Sequence, residues 1–391
     1  MFANDCHLYS DIYHDPASNP LSVVSFAIIY SLIFLMGFLG NATLIFVTVQ
    51  HKTLQTVQNI FILNLAASDI IMCLFLPVTP VTNIYKNWFF GALFCRLIPS
   101  VQAVSVFICT FSLGAIAIDR YVLVVRPHTR PLTRSGAIII TVILWILSVL
   151  ATLPYAVFMH IESYPGVCGE FCTEKWPNAS SRRAYTLMVM IAQFVIPFAV
   201  MTFCYASIFA RLRFRARVRL QRINARSIAI EHSSTVATAT TAVKKASRTN
   251  FPMARFMPNN GRLIESRSDE VKRDSQCSQQ RTLCSNDKER QRVLQRTRRT
   301  TVILVSMVVI FGLTWLPHNI ASLMIEYDAE LLQFLTVDDN LSYVINLFTH
   351  SIAMTNNVAN PVLYAWLNPT FRDLVIQTCF KERRKRNTCE R

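Results

Sequence analysis

Three groups of residues in this 391-residue chain carry chemistry that their surroundings make costly. The first is Asp69, ending the stretch LNLAASD (Leu63–Asp69) in the middle of a long apolar block. A carboxylate buried in hydrocarbon costs about 3 kcal/mol on insertion scales, so it marks a function or a paired partner. Asn41, Asn356, Asn357 and Asn360 lie at comparable depth in other blocks, and a polar, hydrated cluster around Asp69 is expected. The second group is Asp119, Arg120 and Tyr121 at the end of an apolar block. Adjacent opposite charges there are either an interfacial anchor or a latch whose arginine is released in a second state. The third is FGLTWLPHN (Phe311–Asn319), a tryptophan, a proline, a histidine and an asparagine inside the apolar run Thr301–Ile325. Pro317 frees a carbonyl one turn back and bends a helix. Trp315 and Phe311 then read as a moving part displaced by ligand contact. The chemistry is not catalytic: the His, Asp and Cys residues have neither metal-ligand spacing nor a nucleophile triad, and neither an enzyme nor a cofactor is expected.

The elements that carry these residues are long and apolar. Hydrophobic residues make up 52% of the chain, charged residues 16%, and mean hydropathy is +0.34. A soluble surface carries about 25% charge. Seven blocks are long enough to cross a hydrocarbon core, which takes roughly 20 helical residues: Val23–Val49, Asn59–Ile84, Phe94–Val125, Gly136–Met159, Tyr185–Leu212, Thr300–Ile325 and Leu341–Leu367. The expected fold is an all-α membrane protein, a seven-transmembrane helix bundle followed by a short amphipathic cytoplasmic helix. Its expected organisation is an outer N-tail (1–22), spans one to five (23–212), a long basic inner loop, partly disordered (213–291), spans six and seven (292–367), and the amphipathic helix with a basic tail (368–391).

Charge orients the bundle. Arg213–Arg299 holds 21 Arg and Lys against 7 Asp and Glu, and Asn368–Arg391 holds 7 against 3. The opposite side carries Asp5, Asp11 and Asp15 before span one, and Glu326, Asp328, Glu330, Asp338 and Asp339 after span six. The N-terminus is therefore expected outside and the C-terminus in the cytoplasm. The basic excess faces inward, where acidic lipid or an acidic protein is the ordinary partner, rather than nucleic acid. No cleavable signal peptide is read, and span one is expected to act as its own insertion signal. Of the 11 cysteines only Cys6, Cys95, Cys168 and Cys172 fall on the outer, disulfide-permissive side. They allow three pairings. One joins Cys95 to Cys172, tying the outer end of span three to the loop after span four and leaving Cys6 for Cys168. Glycosylation sequons at Asn178 and Asn340 fall on outer loops. Past Pro369, Phe371, Leu374, Val375 and Cys379 share one side of an interfacial helix, and Cys379, beside the basic run Lys381–Arg386, is the expected palmitoylation site.

The set of motifs, one per span and in order, resembles the rhodopsin-like (class A) G-protein-coupled receptors. They are Gly40–Asn41, LNLAASD at Leu63–Asp69, Trp88 with Gly91, Cys95, Asp119–Tyr121, Trp145, Pro197 with Tyr205, Phe311–Pro317, and NPVLY at Asn360–Tyr364. The resemblance runs from about Pro20 to Phe380 and omits most of Arg213–Lys288. Within that class the chain is similar to the neuropeptide Y / neuropeptide F receptor group, especially its nematode members. CTEKWP (Cys172–Pro177), VRPHTRPL (Val125–Leu132), Gln102, Gln193 and His350 carry this closer likeness.

The resemblance implies a receptor at the plasma membrane of neurons. Gln102, Gln193, Asn319, Glu326 and His350 would contact an amidated peptide of the RF-amide or RY-amide kind, with Glu326 pairing an arginine near its end. A switch would run through Trp315, Phe311, Pro317, Pro197, Asp69, Asn360, Tyr205 and Tyr364. Asp119, Arg120 and Tyr121 would couple to a heterotrimeric G protein, of the Gi/o type by the same resemblance. A receptor kinase and arrestin are further expected partners, and the lipid bilayer is the solvent. Three departures stand out, of which one is Thr110 in place of a usual aliphatic beside Phe311. Cys109 replaces the serine common near Asp69, which argues against a sodium ion there. Thr297 stands where some members have an acid that locks Arg120, so basal activity is expected. The alternatives are a class A receptor for a non-peptide ligand and, more remotely, a transporter, although seven unequal spans show no internal duplication.

Overall fold

The fold was obtained as a computed structural model. It describes residues 6–7, 16–246, 295, 299, 301–327 and 341–378. Of the residues named above, Asp5, Asp11, Asp15, Thr297, Asp328, Glu330, Asp338, Asp339, Asn340, Cys379 and Lys381–Arg386 lie outside the described residues. "Outer" and "inner" below follow the charge reading of the loops.

The bundle is built from residues up to Ile208 and from Thr300 onward. Its first helix, α1, is Pro20–Gln50; proline opens it and the Asn19 side chain accepts from the Leu21 amide. α2 runs Val57–Phe75 and, after a turn at Leu76 and Pro77, Val78–Tyr85. α3 is Gly91–Val125 and α4 is Arg134–Phe158. α5 comprises Ala179–Met190, a wide π turn at Ile191–Val195, and Ile196–Ala246. α6 is Thr301–Tyr327. α7 runs Leu341–Met354 and Asn356–Leu367, interrupted at Thr355, and α8 covers 369–378. Thr56, Thr133 and Asn178 cap α2, α4 and α5 by accepting a backbone N–H that the helix itself cannot satisfy.

Six of these helices are long and apolar enough to cross a membrane unaided. The seventh crossing is α7, whose two pieces of 14 and 12 residues are each too short alone. α3 is the most enclosed of the spans. α4 instead turns Ile139, Val142, Ile146, Leu150 and Leu153 outward, as lipid-facing helices do.

Two features depart from the expected outline. The outer link between α4 and α5 is not plain loop: β1 (Met159–Glu162) and β2 (Phe171–Glu174) pair antiparallel, Ile161 opposite Cys172. Two disulfides hold this hairpin, Cys95–Cys172 to the head of α3 and Cys6–Cys168 to the N-tail. His7 adds backbone bonds to Gly166 and Cys168. The second departure is α5, which remains helical through Ala246, well into the stretch expected to lack regular structure. No Gly or Pro falls between Phe198 and Asn250, and alanine is plentiful, so nothing in the sequence stops the helix. From Phe209 onward this helix belongs to a separate unit.

Candidate functional site

At the outer end the helices enclose a cavity of about 690 Å³. Gln102, Gln193, Asn319, Glu326 and His350 all line it, and Trp315 is in its wall. Each is delivered by a local irregularity or by helix register. Pro197 has no N–H for the carbonyl of Gln193, and the widened turn Ile191–Val195 that accommodates it carries Gln193 at the cavity. Gln102 donates to the Phe75 carbonyl (3.3 Å), beside the break that Leu76 and Pro77 make in α2. Trp315, His318 and Asn319 are spaced three and four residues apart, one face of α6.

Beneath and beside the cavity lies a continuous run of rings. Phe194 stacks on Phe198 (4.6 Å between centroids), Phe198 on Phe311 (5.9 Å), Phe311 meets Trp315 (6.0 Å), and Trp315 meets His318 (6.0 Å). His318 packs edge-on against His350 (5.6 Å), which stacks on Tyr30 of α1 and shares a hydrogen bond of 2.8 Å with its hydroxyl. The run therefore links α5, α6, α7 and α1. The α5 ring stacked on Phe311 is Phe198, the residue after Pro197. Gly312 makes room for it, since a Cβ there would stand 2.8 Å from two ring carbons of Phe198.

Acidic chemistry concentrates on one side of the cavity. Arg182 of α5 pairs with Glu326 of α6 at 2.9 Å, so Glu326 already has a cation in this structure. Glu174, at the end of β2, also lines the cavity and accepts from the Trp176 indole at 2.7 Å. Trp176 is itself held between Phe158 and Tyr185. Burial raises the Glu174 carboxyl above the ordinary glutamate range, and Glu326 adds to this, while Trp176, Arg182 and Tyr155 act against it. Glu174 and Arg182 were not singled out by sequence reasoning, although Glu174 stands within CTEKWP; only the hairpin brings it beside Glu326. Tyr30 was likewise missed, for it looks like one more apolar residue of span one.

Deeper in the bundle Asp69 is buried and accepts from the Asn360 amide at 2.9 Å. Asn41 donates to the Asn357 carbonyl at 2.9 Å, and the Asn356 amide reaches Cys109 Sγ at 3.5 Å. The expected polar cluster is thus assembled from α1, α2, α3 and α7. The amide oxygens of Asn41, Asn356 and Asn360 have no hydrogen-bond partner among the described residues. A thiol at Cys109 is a poor donor to a hard monovalent cation, and among the described residues no group of three metal-ligating side chains occurs.

At the inner end Arg120 is paired with its neighbour Asp119, Nε to Oδ2 at 3.0 Å. Tyr121 packs on Phe203 of α5 (5.8 Å), and Tyr205 is buried. Tyr364 donates to Asn59 (3.0 Å) and rests edge-on against Phe371, the apolar side of α8. α8 is held by Asn368, which caps it at Phe371, and by His51, which meets Thr378 at 3.2 Å.

Comparison with known proteins agrees with this architecture. The family model described as 7 transmembrane receptor (rhodopsin family) matches residues 40–364. The chain is 52% identical over 387 residues to neuropeptide receptor npr-1 of Caenorhabditis elegans, covering 97% of this chain and 78% of that protein. It is 27% identical to the neuropeptide F receptor of Drosophila melanogaster (88% of this chain, 60% of that protein) and 27% identical to neuropeptide Y receptor type 2 of Homo sapiens (88% and 73%). With a family match across most of its length and a relative of this identity, the chain belongs to the rhodopsin family of seven-transmembrane receptors, which are receptors and not enzymes.

Proposed function

We propose that this receptor is activated by an amidated peptide of the RF-amide or RY-amide kind and drives nucleotide exchange on a heterotrimeric G protein of the Gi/o type. The observation that carries the reading is one cavity lined by Gln102, Gln193, Asn319, His350 and Glu326, with Trp315 in its wall and an aromatic run leading from it. Neutral amide donors and acceptors suit a blocked, uncharged peptide end, whereas a carboxylate at the rim suits an arginine one or two residues behind it. α3 carries no acid in its outer half, where an amine ligand would need a buried counterion. The relatives, a neuropeptide receptor, a neuropeptide F receptor and a neuropeptide Y receptor, support a peptide ligand.

Peptide contact would shift Trp315, and the Pro317 bend would turn that shift into an outward swing of the inner end of α6. Arg120 would then leave Asp119 for the incoming G protein, with Tyr205 and Tyr364 moving toward the opened space. Asp69 and Asn360 would rearrange between the two states. This reading sets the protein in the neuronal plasma membrane with its N-tail outside, and makes its Ser- and Thr-bearing inner loop the target of a receptor kinase and of arrestin.

The test is a cell assay of cyclic AMP with an amidated peptide ending in Arg-Phe and with its free-acid form. The amidated form should lower cyclic AMP, and the free acid should be far weaker. Equal potency of the two would remove the carboxamide from the reading, and insensitivity to pertussis toxin would remove Gi/o.

A further inference from the structure

The Arg182–Glu326 pair poses a problem for any cationic ligand, because the carboxylate it needs is already engaged. Resting on the peptide-receptor reading above, we propose that Arg182 is a tethered competitor: it occupies Glu326 until a ligand guanidinium displaces it, and so selects for ligands able to make that exchange.

The geometry favours an exchangeable pair over a fixed one. The contact is a single Nε–Oε1 bond of 2.9 Å, with the arginine side chain 42% exposed and the glutamate 13% exposed. Glu326 is in the cavity wall and Arg182 is not, so a ligand meets the carboxylate from within and the arginine leaves toward solvent. With one end well exposed and a single bond between them, the pair is weaker than a fully buried one, and an incoming guanidinium replaces the charge that Glu326 loses. The two helix ends keep Arg182 within reach, since Tyr327 of α6 donates to the Arg183 carbonyl at 2.7 Å. Glu174, close enough to feel both Arg182 and Glu326, supplies a second negative charge. Two carboxylates against one arginine leave the cluster net negative, so it still attracts a cation while Arg182 is bound. A neutral ligand has nothing to offer in exchange and leaves the pair as it stands.

The experiment measures affinity of full-length receptor in membranes for an amidated peptide ending in Arg-Phe and for the same peptide with citrulline, a neutral isostere, in place of arginine. Arg182→Gln should tighten the arginine peptide by about fivefold, the equivalent of one exposed ion pair, and leave the citrulline peptide unchanged. The gain should vanish in Arg182→Gln combined with Glu326→Gln, which should match Glu326→Gln alone. Arg182→Met, which keeps the stem, should behave as Arg182→Gln and serves if the latter does not reach the cell surface. Weaker or unchanged binding of the arginine peptide in both Arg182 variants would overturn the inference and make Arg182 a buttress of the helix ends. An equal gain for both peptides, or one that persists without the Glu326 charge, would overturn it too. If unmodified receptor bound the two peptides equally, the failure would instead lie with Glu326 as the guanidinium acceptor.

Discussion

Gly312 of α6 and Phe198 of α5 occupy one space: a single methyl at 312 would stand 2.8 Å from two carbons of the Phe198 ring. Because Phe198 stacks on Phe311, and Phe311 meets Trp315, the missing side chain at 312 sets where the aromatic run sits. Gly312→Ala should lower stability by about 1–3 kcal/mol, the usual cost of overpacking, and should shift agonist potency with the cavity lining untouched. Thermal unfolding of detergent-solubilised receptor and a dose–response curve check the two parts. Unchanged values in both would mean that Phe198 has room to step aside.

The Tyr30–His350 bond crosses from α1 to α7 beneath the cavity. Tyr30→Phe keeps the ring that stacks on His350 and removes only the hydroxyl, at a cost of about 1 kcal/mol for a buried hydrogen bond. His350 would then be free to reorient, and peptide affinity should fall while surface level stays near that of the parent. Radioligand binding beside surface labelling separates these outcomes.

Glu174 should make ligand binding pH-dependent. Burial raises its carboxyl, so it takes up a proton at a higher pH than an exposed glutamate would. The ionised form attracts a cationic ligand and the neutral form does not. Affinity for an arginine-bearing peptide should therefore drop as pH falls from neutral, starting above the usual carboxylate range, and Glu174→Gln should flatten that part of the profile. Stability runs the other way. The stabilising contribution of a raised acid is fully present below its unfolded pKa and is lost as pH rises through the folded one, so Glu174→Gln should be slightly stabilising at neutral pH. Thermal unfolding across pH measures it.

Asn178 has two roles that substitutions can separate. Its Oδ1 accepts from the Ser181 amide at 2.7 Å and caps α5, while its amide nitrogen is the atom a glycan would take. Asn178→Asp should keep the cap and lose the glycan, giving a faster-running band and unchanged stability. Asn178→Ala should lose both, with about 1 kcal/mol of stability gone. Equal mobility of parent and Asn178→Asp would show that the site carries no sugar.

The spans were legible because apolar length is a property of the sequence itself, and so was the Asp69 cluster, since a buried polar group in hydrocarbon needs a partner. Even the cavity-lining set around Gln102 and His350 was readable, through motif likeness. What could not be read depends on contacts between distant segments. Glu174 reaches Glu326 only after β1 and β2 pair and Cys172 is tied to Cys95. The occupant of Glu326 is an arginine 144 positions earlier, in a different helix. The ring stacked on Phe311 belongs to Phe198, next to the Pro197 that the motif names, and it fills the place that Gly312 leaves open. RFRARVRLQRI after span five reads as a basic helical continuation, but where that helix ends is hard to read, because a Ser- and Thr-rich composition argues against structure while no Gly or Pro stops it.

The bond between Cys6 and Cys168 spans 162 residues and encloses four membrane crossings. Four passes, an even number, return the polypeptide to the face from which it set out, so a chain that makes an odd number of them cannot close the ring. A nascent molecule with one of these helices skipped would leave the two sulfurs in different compartments. Closure at this position therefore excludes every threading with an odd number of passes between the N-tail and the hairpin.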